Sequence, residues 1–386
     1  MKKSLIIVYG SGASFDSGFR IQIPRIGGLI SPPTDLGFFA DLPPFLIRDN
    51  YQALYEFITS YFPGGAHLRL EDVWTAISLN HKHITLGTYH WAKEQHDYLL
   101  KEKCYPGMDM VSPISYFPFS GGGVISTPSF TRYKFLGDCE RNLRELIYDV
   151  YSSYISPSSN NNFELLHSAA NQSQVCNLLG YATFNYDCYL EETLSPRFKY
   201  ISTNDNAEDI SQLLHGDVPI VKLHGSLNWK ENSTPRDVIF QSPPYQKGHQ
   251  SKPGYVANTE WSQPAVIPPT IFKQEINDDS RTNDILTKTI LQQWRAAIRL
   301  LIESDKIIFV GYSFPTTDYH AQRIFHIARM RRAIEGKPPF EILYCSGQQN
   351  RKAILLNIFG KETKIVIKNK FSDLCTSSEL VRFINS

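Results

Sequence analysis

The chain has 386 residues, of which 42% are hydrophobic and 20% are charged, a composition typical of a globular protein with ample material for a core. Its formal net charge of +1 gives no general reason to expect a nucleic acid or an anionic membrane as a partner. No run approaches the roughly 20 apolar residues of a membrane span, and the six cysteines show no CxxC spacing, which argues against a zinc ribbon and a disulfide framework.

The first predicted element is a buried strand over residues 5–9, an apolar run rich in isoleucine and valine. No cleavable signal pattern precedes it, so we expect a cytoplasmic protein. A loop of small residues follows the strand: Gly10, Ser11, Gly12, Ala13 and Ser14. Small side chains would let the phosphates of a ligand approach backbone N–H groups, which makes the loop a candidate nucleotide site. The alternative is a strand-to-helix turn that binds nothing.

The spacing of this loop disfavours one class of nucleotide-binding enzyme. After Gly12 the next glycine is Gly18, so the pattern departs from the GxGxxG of hydride-transfer dehydrogenases. Asp35 lies in a proline-rich loop and not at the end of a second strand, where those enzymes place an acidic residue.

The rest of the chain predicts an α/β fold with insertions. Apolar residues recur with helical spacing at residues 51–62, 68–100, 139–155 and 285–303, and further helices are predicted at residues 319–335 and 349–359. Further strands are predicted at residues 180–184, 219–223, 306–310, 340–345 and 363–367. Because strands and helices alternate and several strands are apolar throughout, we expect a Rossmann-like, mainly parallel sheet without a zinc module.

Three regions follow from this reading. Residues 1–50 and 174–386 are predicted to form the Rossmann-type domain. Residues 51–173 are predicted to be a mainly helical insertion, and residues 230–284, which are polar and rich in proline, a loop-rich insertion within the Rossmann domain.

Compact polar or glycine-rich groups follow four of the predicted strands. Besides the loop at residues 10–14, they are Asn185 with Asp187, His224 with Gly225, and Gly311 with Ser313. Ligands of open parallel sheets bind beyond the carboxyl ends of the strands, so the four groups predict one shared site.

These groups lie in a series of short motifs that resembles a known family. GSGAS at residues 10–14, FNYD at 184–187, KLHGS at 222–226 and GYSFPTTD at 311–318 are similar, in this order, to the motifs of the sirtuin superfamily in its bacterial sirtuin-like branch. The resemblance implies a domain that binds NAD as a substrate, with the nicotinamide end near Asn185 and His224. It also implies that Ser313, after Gly311, lies on the adenosine side.

Two features point to one branch of that family. Its protein deacylases carry a zinc module held by two cysteine pairs after the histidine, whereas this chain has no cysteine between Cys188 and Cys345. We therefore expect no metal and disfavour deacylation. The segment IPPTIFK at residues 267–273 is similar to that of NAD-degrading bacterial members, which act in antiphage defence. The length is similar to that of a sirtuin-like subunit that assembles with a HerA-type ring ATPase.

The chemistry of NAD cleavage suits the residues at the strand ends. The leaving group is already cationic and the transition state resembles an oxocarbenium ion, so no strong nucleophile is needed. Asn185 is expected to position ribose, nicotinamide or water, and His224 to accept a proton. The loop at residues 10–14 would hold the pyrophosphate, while Asp187 would orient a ribose hydroxyl or the nicotinamide amide.

Each assignment has a structural alternative. Asn185 and Asp187 would also suit the cap of the following helix, and a histidine after a strand is often a satisfied structural residue. Asp318 is expected to be the N-cap of a helix that starts at residue 319.

The sequence as a whole predicts an NAD glycohydrolase that releases nicotinamide and leaves ADP-ribose or a cyclic variant. We expect it to be a homo-oligomer and an antiphage effector, with a HerA-type ATPase as a possible partner and no sequence-specific nucleic acid or membrane contact. The alternatives are a sensor that binds NAD or ADP-ribose without cleaving it, and an ADP-ribosyltransferase or deacylase.

Overall fold

The structure is a computed structural model of the chain. It describes residues 2–22, 28–42, 44–62, 68–86, 127–157, 160–233, 236–240, 264–266, 285–315, 318–347 and 351–386. The chain divides into two compact units, one of residues 1–34, 150–267 and 271–386, the other of residues 35–149 and 268–270.

The strands described are numbered in chain order. They are β1 (Lys3–Tyr9), β2 (Arg20–Gln22), β3 (Leu29–Ile30), β4 (Tyr154–Ile155), β5 (Cys176–Thr183), β6 (Phe198–Tyr200), β7 (Val218–Lys222), β8 (Gly225–Ser233), β9 (Arg236–Phe240), β10 (Pro264–Val266), β11 (Lys306–Val310), β12 (Glu341–Cys345) and β13 (Lys364–Lys368). The helices described cover Ser11–Phe15, Pro44–Asn50, Gln52–Tyr61, Leu70–Leu86, Thr127–Ser152, Asn162–Asn171, Tyr189–Leu194, Ile210–Leu213, Ile285–Glu303, Tyr319–Ile334, Lys352–Phe359, Phe371–Cys375 and Ser378–Asn385.

A seven-stranded sheet forms the centre of the first unit. Its order is β13-β12-β11-β1-β5-β7-β6, and every pair of neighbours is parallel. The order reverses beside β1, because β5 lies on one side of it and β11 on the other. In such sheets ligands usually bind beyond the carboxyl ends of the strands at the point where the order reverses, which here is beside β1.

Helices pack on both faces of this sheet, as its apolar strands require. On one face, Ala296 and Leu300 of the helix Ile285–Glu303 share a buried core with Ile6 and Val8 of β1. On the other, Tyr9 packs edge to face on Phe163 of the helix Asn162–Asn171, with ring centroids 5.0 Å apart. The predicted fold class, a Rossmann-like and mainly parallel sheet, is confirmed.

Two small antiparallel sheets accompany the parallel one. One has the order β3-β2-β4 and the other β10-β8-β9, and the sequence predicted neither. Part of the stretch predicted as loop-rich, residues 230–284, therefore forms strands, while residues 241–263 and 267–284 lie outside the described residues.

The second unit contains the helices Pro44–Asn50, Gln52–Tyr61 and Leu70–Leu86 and most of the helix Thr127–Ser152. Within it, the Arg69 guanidinium lies 2.8 Å from both the Asp35 and the Glu71 carboxylates, at the start of the helix Leu70–Leu86. The predicted helix over residues 68–100 is described as far as residue 86, and residues 87–126 lie outside the described part. Among the helices described in either unit, none combines the length and hydropathy needed to cross a membrane.

Candidate functional site

The glycine loop after β1 packs directly against the turn after β11. The Gly12 N–H donates to the Gly311 carbonyl over 3.1 Å, and the Gly10 N–H donates to the Val310 carbonyl over 2.9 Å. A Cβ at Gly311, where φ is +67°, would lie 2.0 Å from the Ala13 nitrogen. The glycines are thus needed for the close approach of two chain segments, a role that the sequence did not predict.

The short helix Ser11–Phe15 carries one polar side chain into the interior. Ser14 is 1% exposed, and its hydroxyl donates to Asp187 Oδ2 over 2.7 Å. The Ser14 hydroxyl oxygen also accepts a hydrogen bond from Asn185 Nδ2 over 2.8 Å. Ser14, Asn185 and Asp187 therefore form one chain of hydrogen bonds that joins the ends of β1 and β5.

The hydrogen bonds determine which way the Asn185 amide points. Its Nδ2 donates to the Gly10 carbonyl at 3.1 Å as well as to Ser14, whereas its Oδ1 meets no donor among the described residues. A flipped amide would place Oδ1 against the Gly10 carbonyl oxygen, so the orientation is unambiguous. Asn185 is only 8% exposed, and a buried carbonyl oxygen without a donor is costly unless a ligand or water supplies one.

Asp187 is the acidic member of this row of hydrogen bonds and lies in a buried environment that contains other charges. Burial and the nearby Glu191 raise the pKa of Asp187 to about 6, against the opposing influence of Lys222 and the Ser14 hydroxyl. Its Oδ1 also accepts a hydrogen bond from the Tyr189 N–H over 3.3 Å, at the start of the helix Tyr189–Leu194. Asp187 therefore binds the first N–H of that helix from the position before its N-cap residue, Cys188, while its other carboxylate oxygen accepts from Ser14.

Lys222 and Glu191 form a buried ion pair behind this loop. Lys222 Nζ lies 2.9 Å from Glu191 Oε1 and donates to the Asp187 backbone carbonyl over 2.6 Å. Both side chains are completely buried. Burial lowers the pKa of Lys222, but the neighbouring Glu191, Cys188 and Asp187 outweigh that effect, and the net result is a raised pKa.

His224 lies two residues beyond the end of β7 among aromatic rings. It is 5% exposed, and its ring centroid lies 5.4 Å from that of Phe184, edge to face, and 6.0 Å from that of Tyr186. Phe184 in turn stacks on Tyr312, with centroids 4.2 Å apart. An aromatic row therefore connects the end of β7 with the turn after β11.

The remaining predicted site residues lie around these groups. Gly225 adopts φ +80° and begins β8, and Ser313 is half-buried in the turn that Gly311 begins. Ser11 is half-buried and Ala13 is buried. Asp318 does occupy the N-cap position, but its carboxylate accepts a hydrogen bond from the Tyr312 hydroxyl over 3.0 Å and makes no side-chain cap bond. The predicted N-cap position of Asp318 is therefore confirmed, although its carboxylate bonds Tyr312 and not the helix backbone.

Sequence reasoning did not select Lys222, Glu191, Phe184 or Tyr312. A signal existed for Lys222, since a lysine within the apolar stretch PIVKL of a buried strand needs a partner. Nothing local marks Glu191 as that partner, because its burial depends on how the helix Tyr189–Leu194 packs. Within the described residues there is no group of three or more His, Cys, Asp or Glu side chains poised to hold a metal ion.

Comparisons with known proteins found similarity to solved structures and to one family model. A search of curated proteins found no match. Among solved structures, a Sir2 homologue with a histidine-to-asparagine mutation, in complex with ADP-ribose, is 13% identical with a TM-score of 0.39, over 99% of this chain and 92% of that one. A Sir2 homologue in complex with NAD is 12% identical with a TM-score of 0.37, over 99% and 90% of the two chains.

The family comparison concerns the second half of the site. Residues 179–362, just under half of the chain, match the model of the SIR2-like domain family. The match includes Asn185, Asp187, His224 and Gly311 and begins after the glycine loop. Over residues 179–362 the chain therefore carries a SIR2-like domain.

Proposed function

We propose that this chain is an NAD glycohydrolase, which releases nicotinamide from NAD and leaves ADP-ribose or a cyclic variant. The SIR2-like domain and the motif resemblance support NAD as the substrate. The single observation that carries the proposal is the buried Asn185 carboxamide, whose Nδ2 is held by Gly10 and Ser14 while its Oδ1 lacks a donor.

This arrangement fits one part of the substrate. A buried acceptor without a partner suits an N–H or O–H donor, and NAD offers both in the nicotinamide carboxamide and the ribose hydroxyls. Asn185 would hold such a group in a fixed orientation, since its own amide cannot turn without losing two hydrogen bonds. The loop at residues 10–14 would hold the pyrophosphate, and Ser313 would lie on the adenosine side.

The Gly10, Gly12 and Ala13 amides already donate to backbone carbonyls. Phosphate binding by the loop would therefore use the remaining N–H groups and the Ser11 hydroxyl.

The reaction needs little more from the protein. Water attacks the anomeric carbon of the ribose while nicotinamide leaves with the electron pair of the broken bond, and a base accepts the proton of the water. His224 is the candidate base, since it follows β7 at the carboxyl edge of the sheet where the predicted site lies. An ionised Asp187 nearby would favour the oxocarbenium-like transition state by its charge.

The test is nicotinamide release from NAD, followed by chromatography. We expect Asn185→Ala and His224→Ala each to lower the rate by on the order of 100-fold or more while the circular dichroism spectrum stays unchanged. Asn204→Ala and His215→Ala are matched controls, because both residues are exposed on the segment between β6 and β7. Wild-type rates in either site variant would contradict the residue assignment, and NAD binding without any turnover would favour a sensor.

The cellular setting belongs to the same proposal and is supported by the motif resemblance alone. We place the protein in the cytoplasm as a homo-oligomer that depletes NAD during phage infection, with a HerA-type ring ATPase as its partner. A repeat of the nicotinamide assay with co-purified partner would show whether the assembly is needed for activity.

A further inference from the structure

The buried pair Lys222–Glu191 lies directly behind the loop that carries Asn185 and Asp187. Lys222 is the last residue of β7, and its ammonium reaches the neighbouring strand end, where it donates to the Asp187 carbonyl over 2.6 Å. A charge-assisted bond to a backbone carbonyl restrains the loop itself and not only a side chain. Lys222 therefore controls the position of the residues on either side of that carbonyl.

The positive charge of Lys222 does not neutralise all of the negative charge around it. One ammonium faces two buried carboxylates, Glu191 at 2.9 Å and the nearby Asp187. Glu191 Oε1 also accepts from the Tyr200 hydroxyl over 3.0 Å, while Glu191 Oε2 meets no donor in the described part of the chain. When both acids are ionised the cluster carries one excess negative charge in a buried place, so Asp187 is sensitive to each of the other two charges.

The ionisation of Asp187 decides how the neighbouring hydroxyl points. An ionised carboxylate only accepts, so the Ser14 hydrogen is directed to Asp187 Oδ2 and the Ser14 oxygen stays free to accept from Asn185 Nδ2. A protonated Asp187 is itself a donor, so the Ser14 hydroxyl hydrogen is then no longer required to point at Asp187 Oδ2. The direction of the Ser14 hydroxyl, and with it the hydrogen bond that Ser14 accepts from Asn185 Nδ2, thus depends on the charge of Asp187.

We propose that Lys222 and Glu191 are positioning residues of this site, which act through Asp187: Lys222 keeps its carboxylate ionised and its loop in place, and Glu191 opposes that ionisation. The effect on catalysis rests on the proposed function, whereas the effect on the ionisation of Asp187 does not. The two residues touch the loop and not the substrate, and they act with opposite sign on one group.

The other groups around Asp187 do not reverse the opposite effects of Lys222 and Glu191 on its ionisation. From the same loop and the following helix, Cys188 and Tyr189 face it, and burial raises the pKa of both, so both are neutral near pH 7. From the helix Ser11–Phe15 the facing group is Ser14, which is a neutral donor. Lys222 and Glu191 are therefore the charges that set the ionisation of Asp187.

The experiment measures the titration of Asp187 directly, by carbon NMR of protein labelled at the aspartate carboxyl carbons, with Asp187→Asn to assign the signal. We expect Lys222→Met to raise the midpoint by about one pH unit or more and Glu191→Gln to lower it by a similar amount. The double variant Lys222→Met/Glu191→Gln should lie between the two. The matched control is Lys306→Met, since Lys306 is equally buried but begins β11, at the amino ends of the strands, where it bonds Ser386.

Opposite shifts would support the proposal, because loss of packing alone does not move one carboxyl group in two directions. Shifts of the same sign, or unchanged midpoints in folded variants, would overturn it. If Lys222→Met does not fold, Glu191→Gln alone decides by its downward shift, and the neutral double variant supplies the second point. The NMR readout needs no turnover, so failure of the nicotinamide assay would refute the proposed function without touching this result.

For the catalytic consequence, the pH profile of nicotinamide release should follow the same two shifts. A pH profile that stays unchanged while the NMR midpoints move would show that the ionisation of Asp187 does not affect the rate of nicotinamide release.

Discussion

Replacement of Asp187 by asparagine is expected to raise the free energy of unfolding relative to the wild type, and to raise it more at neutral pH than at acid pH. The carboxyl group is buried, and its pKa in the folded protein is about 6 where an ordinary aspartate has 3.8. The unfolded chain therefore releases this proton at a lower pH than the folded chain does. Asparagine keeps the shape of the side chain but has no proton to release, so the variant isolates this one titration.

The sign and size follow from proton linkage. Below about pH 4 the group is protonated in both states and contributes nothing. Between about pH 4 and pH 6 the unfolded chain binds fewer protons than the folded one, so the free energy of unfolding of the wild type falls as pH rises. A difference of about two pH units corresponds to about 3 kcal/mol, at about 1.4 kcal/mol per unit.

The assay is urea unfolding of wild type and Asp187→Asn at several pH values from 4 to 8. We expect the stability of the variant minus that of the wild type to rise by up to about 3 kcal/mol across this window. Asp209→Asn is the matched control, because hydrogen bonds from Ser211 lower the pKa of Asp209 from its ordinary 3.8, so this carboxyl group titrates below the assayed range and its difference should stay nearly constant from pH 4 to 8. A difference for Asp187→Asn that does not change with pH would refute the raised pKa.

Two further predictions concern the glycine loop and the turn after β11 that packs against it. Gly311→Ala should unfold the protein or lower its stability by more than about 3 kcal/mol, because the new Cβ would lie 2.0 Å from a backbone nitrogen. Gly336→Ala, at nearly the same φ but with no atom within 4 Å, should cost only about 1 to 2 kcal/mol, and equal losses in urea unfolding would contradict the steric explanation. Ser14→Ala should cost about 2 to 4 kcal/mol and raise the pKa of Asp187, since it removes two buried hydrogen bonds, and an unchanged NMR midpoint for Asp187 would show that the hydroxyl does not hold the carboxylate.

The long strands of the parallel sheet were predictable because their signal is local. A buried parallel strand is apolar along its whole length, so residues 5–9 and 306–310 stand out from any neighbouring stretch. β6 has three residues and β3 two, too short for a periodic pattern. The antiparallel pair β8 and β9 was missed because proline and polar residues dominate the surrounding segment.

The candidate site was predictable in its members more than in its contacts. The rule that ligands bind beyond the carboxyl ends of parallel strands selected Ser14, Asn185 and Asp187, and the structure joins them by hydrogen bonds of 2.7 and 2.8 Å. Which glycine touches which backbone depends on tertiary packing, as does the burial of Glu191. No spacing in the sequence contains that information.

The site holds its geometry at the expense of stability. A serine hydroxyl can turn about its C–O bond, and a neutral group at position 187 would leave the direction of the Ser14 hydroxyl less strictly determined. An ionised Asp187 removes this freedom, because it can only accept, and the order then runs from Asn185 Nδ2 to Ser14 to Asp187. The charge is buried, so the same carboxylate that orders the site lowers the free energy of unfolding as the pH rises to about 6. Stability and site order are thus coupled through one proton, and variants that relieve the first are expected to loosen the second.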